Sequence, residues 1–187
     1  MKKILAILLS AAMMLSFAAC SKPNQSNQSS DNSQSESSQS SDTSSKDIIP
    51  SVEKGTLGAS LWKEFETEAK KNPQPSAQEI SNKISKSSSL PFESEAIPLN
   101  PEWIPGFKEG YAPKGYKEAF TYGPMIGAIP FIAYVFNMED GTDISAFVTE
   151  LKNNADPAWN VCVTADQTVV GSVGNMVYFL MCPASAQ

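Results

Sequence analysis

Met176-Val177-Tyr178-Phe179-Leu180-Met181-Cys182 (MVYFLMC) is the stretch that decides the fold. Side chains alternate between the two faces of a β-strand, and in this stretch both alternating sets are apolar. A strand that is apolar on both faces has to be covered from both sides. We therefore predict a central strand in a sheet that carries other elements on each face.

The residues before this strand predict the rest of the sheet. Gly174-Asn175 is typical of a two-residue hairpin turn, which would place Val173 opposite Met176 and Val170 opposite Phe179. The further predicted strands are 168–173, 160–164 and, doubly apolar again, 128–138. The strands 160–164, 168–173 and 176–182 are predicted to form an antiparallel meander at the C-terminal end of the chain, while 128–138 precedes the last helix.

Three segments have the periodicity of helices. The first is 56–71. The second is short and peripheral and begins at the capping box of Ser76 and Glu79, and the third, 144–151, has an apolar stripe at helical spacing. We predict one helix turn or more over 116–122, and a draped loop over 90–113 because its five prolines forbid long regular elements. The predicted class is α+β: a mainly antiparallel sheet of about four strands with two to three helices.

The first twenty residues have the features of an export signal. Lys2 and Lys3 precede an apolar run that is too short for a permanent membrane span, and the run ends at Phe17-Ala18-Ala19-Cys20. These four residues resemble the lipobox of bacterial lipoprotein precursors. The resemblance implies cleavage after Ala19, lipid attachment to the Cys20 thiol and, through that lipid, a membrane partner.

The composition then changes to Ser, Gln and Asn until residue 46. Such a segment has too little apolar surface to fold, so we expect a disordered tether with a root-mean-square span of roughly 30 Å. The chain would thus consist of a signal peptide (1–19), the lipidated cysteine and tether (20–46), and a single α+β domain (47–187).

A polar tether behind a lipidated cysteine is similar to that of Gram-positive surface lipoproteins. The C-terminal region is also similar in outline to small Gram-positive lipoprotein domains that have no described activity. These resemblances imply a location at the outer face of the cytoplasmic membrane of a Gram-positive bacterium, and they imply no activity.

The composition excludes several kinds of chemistry. The 187-residue chain contains no histidine, and its 14 basic residues are all lysines within a net charge of −6. Histidine-based nucleophile relays are therefore absent, and a nucleic-acid partner is disfavoured because no basic patch is present. We predict no cofactor and no metal site. The acidic cluster 139–143 does not match a calcium loop, because Phe136 and Met138 would occupy ligand positions, and it fits the entry turn of a helix.

Cys162 and Cys182 are an even pair in an exported chain, which favours a disulfide. The predicted strand register argues against one, since it separates the two cysteines by about 13 Å at strand rise, whereas a disulfide needs Cα atoms within about 7 Å. We therefore expect two free thiols that serve as buried apolar residues.

Aromatic side chains are dense in the segment that follows the second helix. Trp103, Phe107, Tyr111, Tyr116 and Tyr122 are candidate ligand-contacting residues, since exposed rings offer rigid faces to sugars or peptides. The alternative is that these rings attach an irregular loop to the sheet.

The expected function is a surface-anchored binding or interaction module whose ligand is a surface protein or a glycan. A rival hypothesis is an envelope enzyme with carboxylate or lysine chemistry, which predicts a pocket holding at least two of Glu102, Glu109, Glu118 and Asp140. A third hypothesis is a structural assembly role, which predicts a large exposed apolar patch.

Overall fold

A computed structural model describes residues 47–185, all of which belong to one unit that spans Asp42–Gln187. The signal peptide and tether predicted over 1–46, including Cys20, lie outside the described residues. The helices are α1 (Leu57–Ala69), α2 (Ala77–Ile84) and α3 (Ile144–Asn154). The strands are β1 (Ile97–Pro98), β2 (Tyr116–Tyr122), β3 (Ile132–Met138), β4 (Gln167–Val173) and β5 (Met176–Cys182).

The five strands form one antiparallel sheet in the order β1-β2-β3-β5-β4, so the predicted α+β class is confirmed with one strand more than expected. β5 has a neighbour on each side and is buried along its whole length, as predicted. The hairpin register is also confirmed, since Val173 pairs with Met176 and Val170 with Phe179.

Helices cover both faces of the sheet. Tyr178 and Leu180 of β5 belong to the apolar layer under α1 and α2, whereas Val177 and Phe179 belong to the layer under α3. This alternation follows directly from the strand period of two. α2 contributes fully buried Ile80 and Ile84 to the first layer, so the expectation of a peripheral second helix is wrong.

Side-chain caps fix where the helices begin. Thr56 accepts a hydrogen bond from the amide of Ala59 at α1, and Asp143 accepts one from the amide of Ala146 at α3. Ser76 and Glu79 form the predicted capping box at α2. The Glu79 carboxylate accepts hydrogen bonds from the backbone amide and the hydroxyl of Ser76, and these bonds lower the pKa of the Glu79 carboxyl.

The segment 116–122 is strand β2, so the predicted helix turn is wrong. A bulge between Tyr116 and Glu118 breaks the alternation of the strand. Tyr116 packs towards the α3 layer, while Phe120 and Tyr122 lie in the α1–α2 layer. The bulge hides the period of two that identifies a strand.

The segment 160–164 is not a strand, contrary to the prediction, but a turn in which the amide of Val163 donates to the carbonyl of Asn160. The strand was predicted to pair along β4. That edge is instead occupied by the N-terminal segment, because the backbone of Ile48 exchanges two hydrogen bonds with Ser172, 3.0 and 2.9 Å long.

Both described cysteines are free thiols, as predicted. Cys182 is buried as expected, but Cys162 is exposed because the turn holding it does not enter the sheet. Over residues 47–185, no helix has the length and apolarity needed to span a membrane.

Candidate functional site

A cavity of about 810 Å³ opens at the end of the sheet where β2 stops and β3 starts. Three segments that are distant in sequence converge on it: 95–109, 121–132 and 156–161. We call this site the Trp103 cavity. Its size lies in the usual range of binding sites for small molecules or short peptide segments.

The inner wall of the cavity is fixed by close packing on the sheet. Gly106 has a φ of +91°, and a Cβ on it would come within 2.8 Å of the side chains of Ile132 and Met181. Only glycine fits such a position without strain. Next to it, the Phe107 ring lies 4.5 Å from that of Phe179.

Backbone hydrogen bonds join this loop to the last residue of α3 and to the segment that follows it. The amide of Asp156 donates to the carbonyl of Gly106, and the amide of Lys108 donates to the carbonyl of Asn154, each at 2.9 Å. The Tyr134 hydroxyl of β3 donates to the carbonyl of Pro105 at 2.6 Å. These contacts attach the loop to the sheet and to the end of α3 despite its prolines, so it forms a fixed wall of the cavity.

The rim of the cavity is apolar and exposed. Trp103 is 69% exposed, Met125 94% and Val161 98%, and all three line the cavity together with Ile97, which is 53% exposed. Ile126, beside Met125, is 76% exposed. Five of the six large hydrophobic side chains that stand out as exposed among the described residues therefore lie in or beside this one site. Clusters of exposed hydrophobic side chains are more frequent at binding sites than on the rest of a protein surface.

The charged side chains that line the cavity are Glu95, Glu109 and Asp156, and no lysine lines it. Asp156 accepts a hydrogen bond from the amide of Ala158 at 3.0 Å. Over residues 47–185, the carboxylates of Glu95 and Glu109 have no ion pair or hydrogen bond. The cavity therefore combines apolar walls with a net negative charge.

The structure divides the five candidate aromatics between two environments. Trp103, Phe107 and Tyr122 line the cavity, with Trp103 on the rim and the other two buried in its walls. Tyr111 and Tyr116 do not line the cavity. The ring of Tyr111 lies 5.2 Å from that of Phe107, and the ring of Tyr116 lies 5.5 Å from that of Phe136. Burial, with the nearby Glu150 carboxylate, raises the pKa of Tyr111.

Tyr122 is held by a second buried tyrosine. Its hydroxyl lies 2.5 Å from that of Tyr178, in the layer between the sheet and α1–α2. Burial raises the pKa of both phenols, so both are neutral at physiological pH. The hydroxyl of Tyr122 is therefore already paired inside the core.

Several lining residues were missed by reasoning from sequence: Glu95, Ile97, Met125, Ile129, Trp159 and Val161. One signal was available for Met125 and Ile126, since an apolar pair between Gly123-Pro124 and Gly127 is unusual in a turn. Nothing in sequence brings Trp159 or Val161 to the same site, because they join it only through the loop contacts after α3.

The four carboxylates of the enzyme hypothesis do not converge. Glu109 lines the cavity, but Glu118 accepts a hydrogen bond from the amide of Ala77 at the start of α2, and Asp140 pairs with Lys117 at 2.8 Å. Glu102 does not line the cavity. Within residues 47–185, no three acidic or cysteine side chains lie close enough together to hold a metal ion.

Comparison of the chain with protein-family models, with curated proteins and with solved structures found no match.

Proposed function

We propose that this protein is a lipid-anchored binding module of the cell surface, and that the Trp103 cavity receives an apolar segment of a partner protein. The observation that carries the proposal is the clustering of exposed Trp103, Met125, Ile126 and Val161 around one preformed cavity. The resemblance of Phe17-Ala18-Ala19-Cys20 to a lipobox supports the proposed attachment to the membrane.

A protein segment fits the walls better than a glycan does. Beside Trp103, the exposed side chains of the rim are apolar and not aromatic (Ile97, Met125, Ile126 and Val161), which suits the apolar side chains of a polypeptide. The two asparagine side chains of the lining already have partners within the chain. Asn100 accepts a hydrogen bond from the backbone amide of Glu102, and Asn160 donates one to the backbone carbonyl of Gly127. Burial of an exposed Trp or Met side chain by a partner supplies roughly 1.5–3 kcal/mol each, which favours an apolar ligand.

The test is selection of a displayed random-peptide library on the purified protein, followed by affinity measurement on variants. Peptides selected on the unmodified protein should be rich in apolar residues and should lose about tenfold or more in affinity for Trp103→Ala, because a buried Trp is a typical hot spot. Ile49→Ala is the matched control, since Ile49 is an exposed hydrophobic residue outside the cavity.

Trp103 is largely exposed, so its replacement should leave the unfolding temperature unchanged and the loss of affinity can be assigned to binding. Absence of enriched peptides, or equal affinity for Trp103→Ala, would contradict the proposal. Binding on a glycan array that depends on Trp103 would replace the protein ligand by a sugar.

A further inference from the structure

We infer that the Trp103 cavity selects a polypeptide segment that carries a basic side chain among apolar ones. The inference rests on the proposed function and adds the charge of the ligand. It stands on three carboxylates, those of Glu95, Glu109 and Asp156, that line the same cavity as the exposed Trp103, while no lysine lines it.

The first step of the argument is hydrogen-bond chemistry. Ionised carboxylates only accept hydrogen bonds, and the exposed side chains of Glu95 and Glu109 have no donor among residues 47–185. A ligand that covered them with apolar surface would bury two unpaired charges, which is costly. A Lys or Arg side chain supplies both the donor and the opposite charge.

The second step is the aromatic content of the same walls. Trp103 and the half-buried Trp159 both line the cavity. A cation placed over the face of a tryptophan ring is attracted by the ring quadrupole, and tryptophan is the best of the aromatic residues in this role. The long methylene stem of a lysine or arginine would meanwhile pack on the apolar rim.

The third step is the position of the nearest lysine in sequence. Lys108 lies between Phe107 and Glu109, but its ammonium group donates to the carbonyl of Asn153 at 2.6 Å. It does not line the cavity and is held at the end of α3. The three carboxylates therefore keep their negative field, and an anionic ligand such as an acidic lipid surface would be repelled.

The test uses three random octapeptide libraries that differ only in one central residue, fixed as lysine, glutamine or glutamate. The bound fraction on the purified protein should follow the order lysine, glutamine, glutamate. We expect about a fivefold advantage of lysine over glutamine, as is typical of a few partly exposed ion pairs. The advantage should shrink at 0.5 M salt because exposed charges are then screened.

The double variant Glu95→Gln/Glu109→Gln should lose the preference and bind the lysine and glutamine libraries to the same extent. The control Glu53→Gln/Glu139→Gln removes the same charge from exposed sites outside the cavity and should keep the preference.

Equal binding of the lysine and glutamine libraries would overturn this inference and leave the apolar binding site intact. Failure of all three libraries would instead contradict the proposed function itself. A preference for lysine that survives in Glu95→Gln/Glu109→Gln would show that these two carboxylates do not select the charge of the ligand, and it would also overturn the inference.

Discussion

Tyr122 and Tyr178 share a hydrogen bond inside the apolar layer beneath α1 and α2, where both side chains are fully buried. Replacing either one by phenylalanine leaves the other hydroxyl buried without this partner, which costs about 1–3 kcal/mol. The double variant Tyr122→Phe/Tyr178→Phe removes both polar groups. It should therefore cost less than the sum of the two single changes. Urea unfolding of the four proteins measures this coupling, and additive losses would show that the hydroxyls do not depend on each other.

The second prediction at this scale concerns alkaline pH and the thiol of Cys182. Burial, with a smaller effect of the Asp166 charge, raises the pKa of Cys182 from 9.0 to about 12. Between these values the unfolded chain loses the thiol proton and the folded chain keeps it. The free energy of unfolding should therefore be unaffected below pH 9 and should fall as the pH rises towards 12, by up to about 1.4 kcal/mol per unit.

The variant Cys182→Ala should be less stable at pH 8 but should show a shallower decline between pH 8 and 10. Cys162→Ala removes an exposed thiol and is the control, in which the free energy of unfolding should decline with pH as it does in the unmodified protein. The buried tyrosines add a further decline above pH 10, which both variants retain. Equal slopes for Cys182→Ala and the unmodified protein would contradict the assignment of this pH dependence to Cys182.

At the scale of elements, the sequence predicted those elements whose apolar pattern is regular. β5 and α3 were located because one has two apolar faces and the other a single apolar stripe. β2 was not, because its bulge puts Tyr116 and Phe120 on opposite faces of the sheet. Residues 160–164 have the composition of a strand, but strand formation needs a free neighbouring edge, and Ile48 occupies it.

The cap of α3 gives a prediction at the same scale. Asp143 accepts the amide proton of Ala146 at 2.9 Å, so Asp143→Ala should lower the free energy of unfolding by about 1 kcal/mol and Asp143→Asn by less. Asp140→Ala, in the same turn, removes only an exposed ion pair with Lys117 and should change stability little. Urea titration distinguishes the two, and equal losses would show that charge at the turn matters more than the cap.

At the scale of the whole molecule, the Trp103 cavity is a product of tertiary structure. Trp103, Phe107 and Tyr122 were proposed as ligand contacts from their density in sequence, and they do line one site. The partners that complete the site come from residues 123–132 and 156–161, and no periodicity links these loops. The sequence therefore predicted three residues that line the cavity. The meeting of three loop segments and the negative charge of the cavity are visible only in the folded structure.

The fold also sets where the N-terminal segment joins the domain. Asp47 accepts a hydrogen bond from the amide of Gly174 in the β4–β5 turn, and Ile48 pairs with Ser172 beside it. Ser172 and Phe136 both pair with Val177, so they lie at the same level of the sheet. The cavity lies at Ile132, four residues before Phe136 along β3 and thus towards the opposite end of the sheet. Asp47, the first described residue, thus lies at the end of the sheet remote from the cavity.

The anchor gives the last prediction. In a Gram-positive host grown with labelled palmitate, the full chain should carry the label and sediment with membranes. Cys20→Ala should lose the label and be released, because the acyl chains are proposed to be attached to this thiol and stable anchoring needs them. Cys162→Ala and Cys182→Ala are the matched controls and should remain labelled. A Cys20→Ala protein that still carries palmitate and sediments with membranes would contradict the lipoprotein proposal, whereas the apolar cavity and its preference for basic peptides would stand on their own tests.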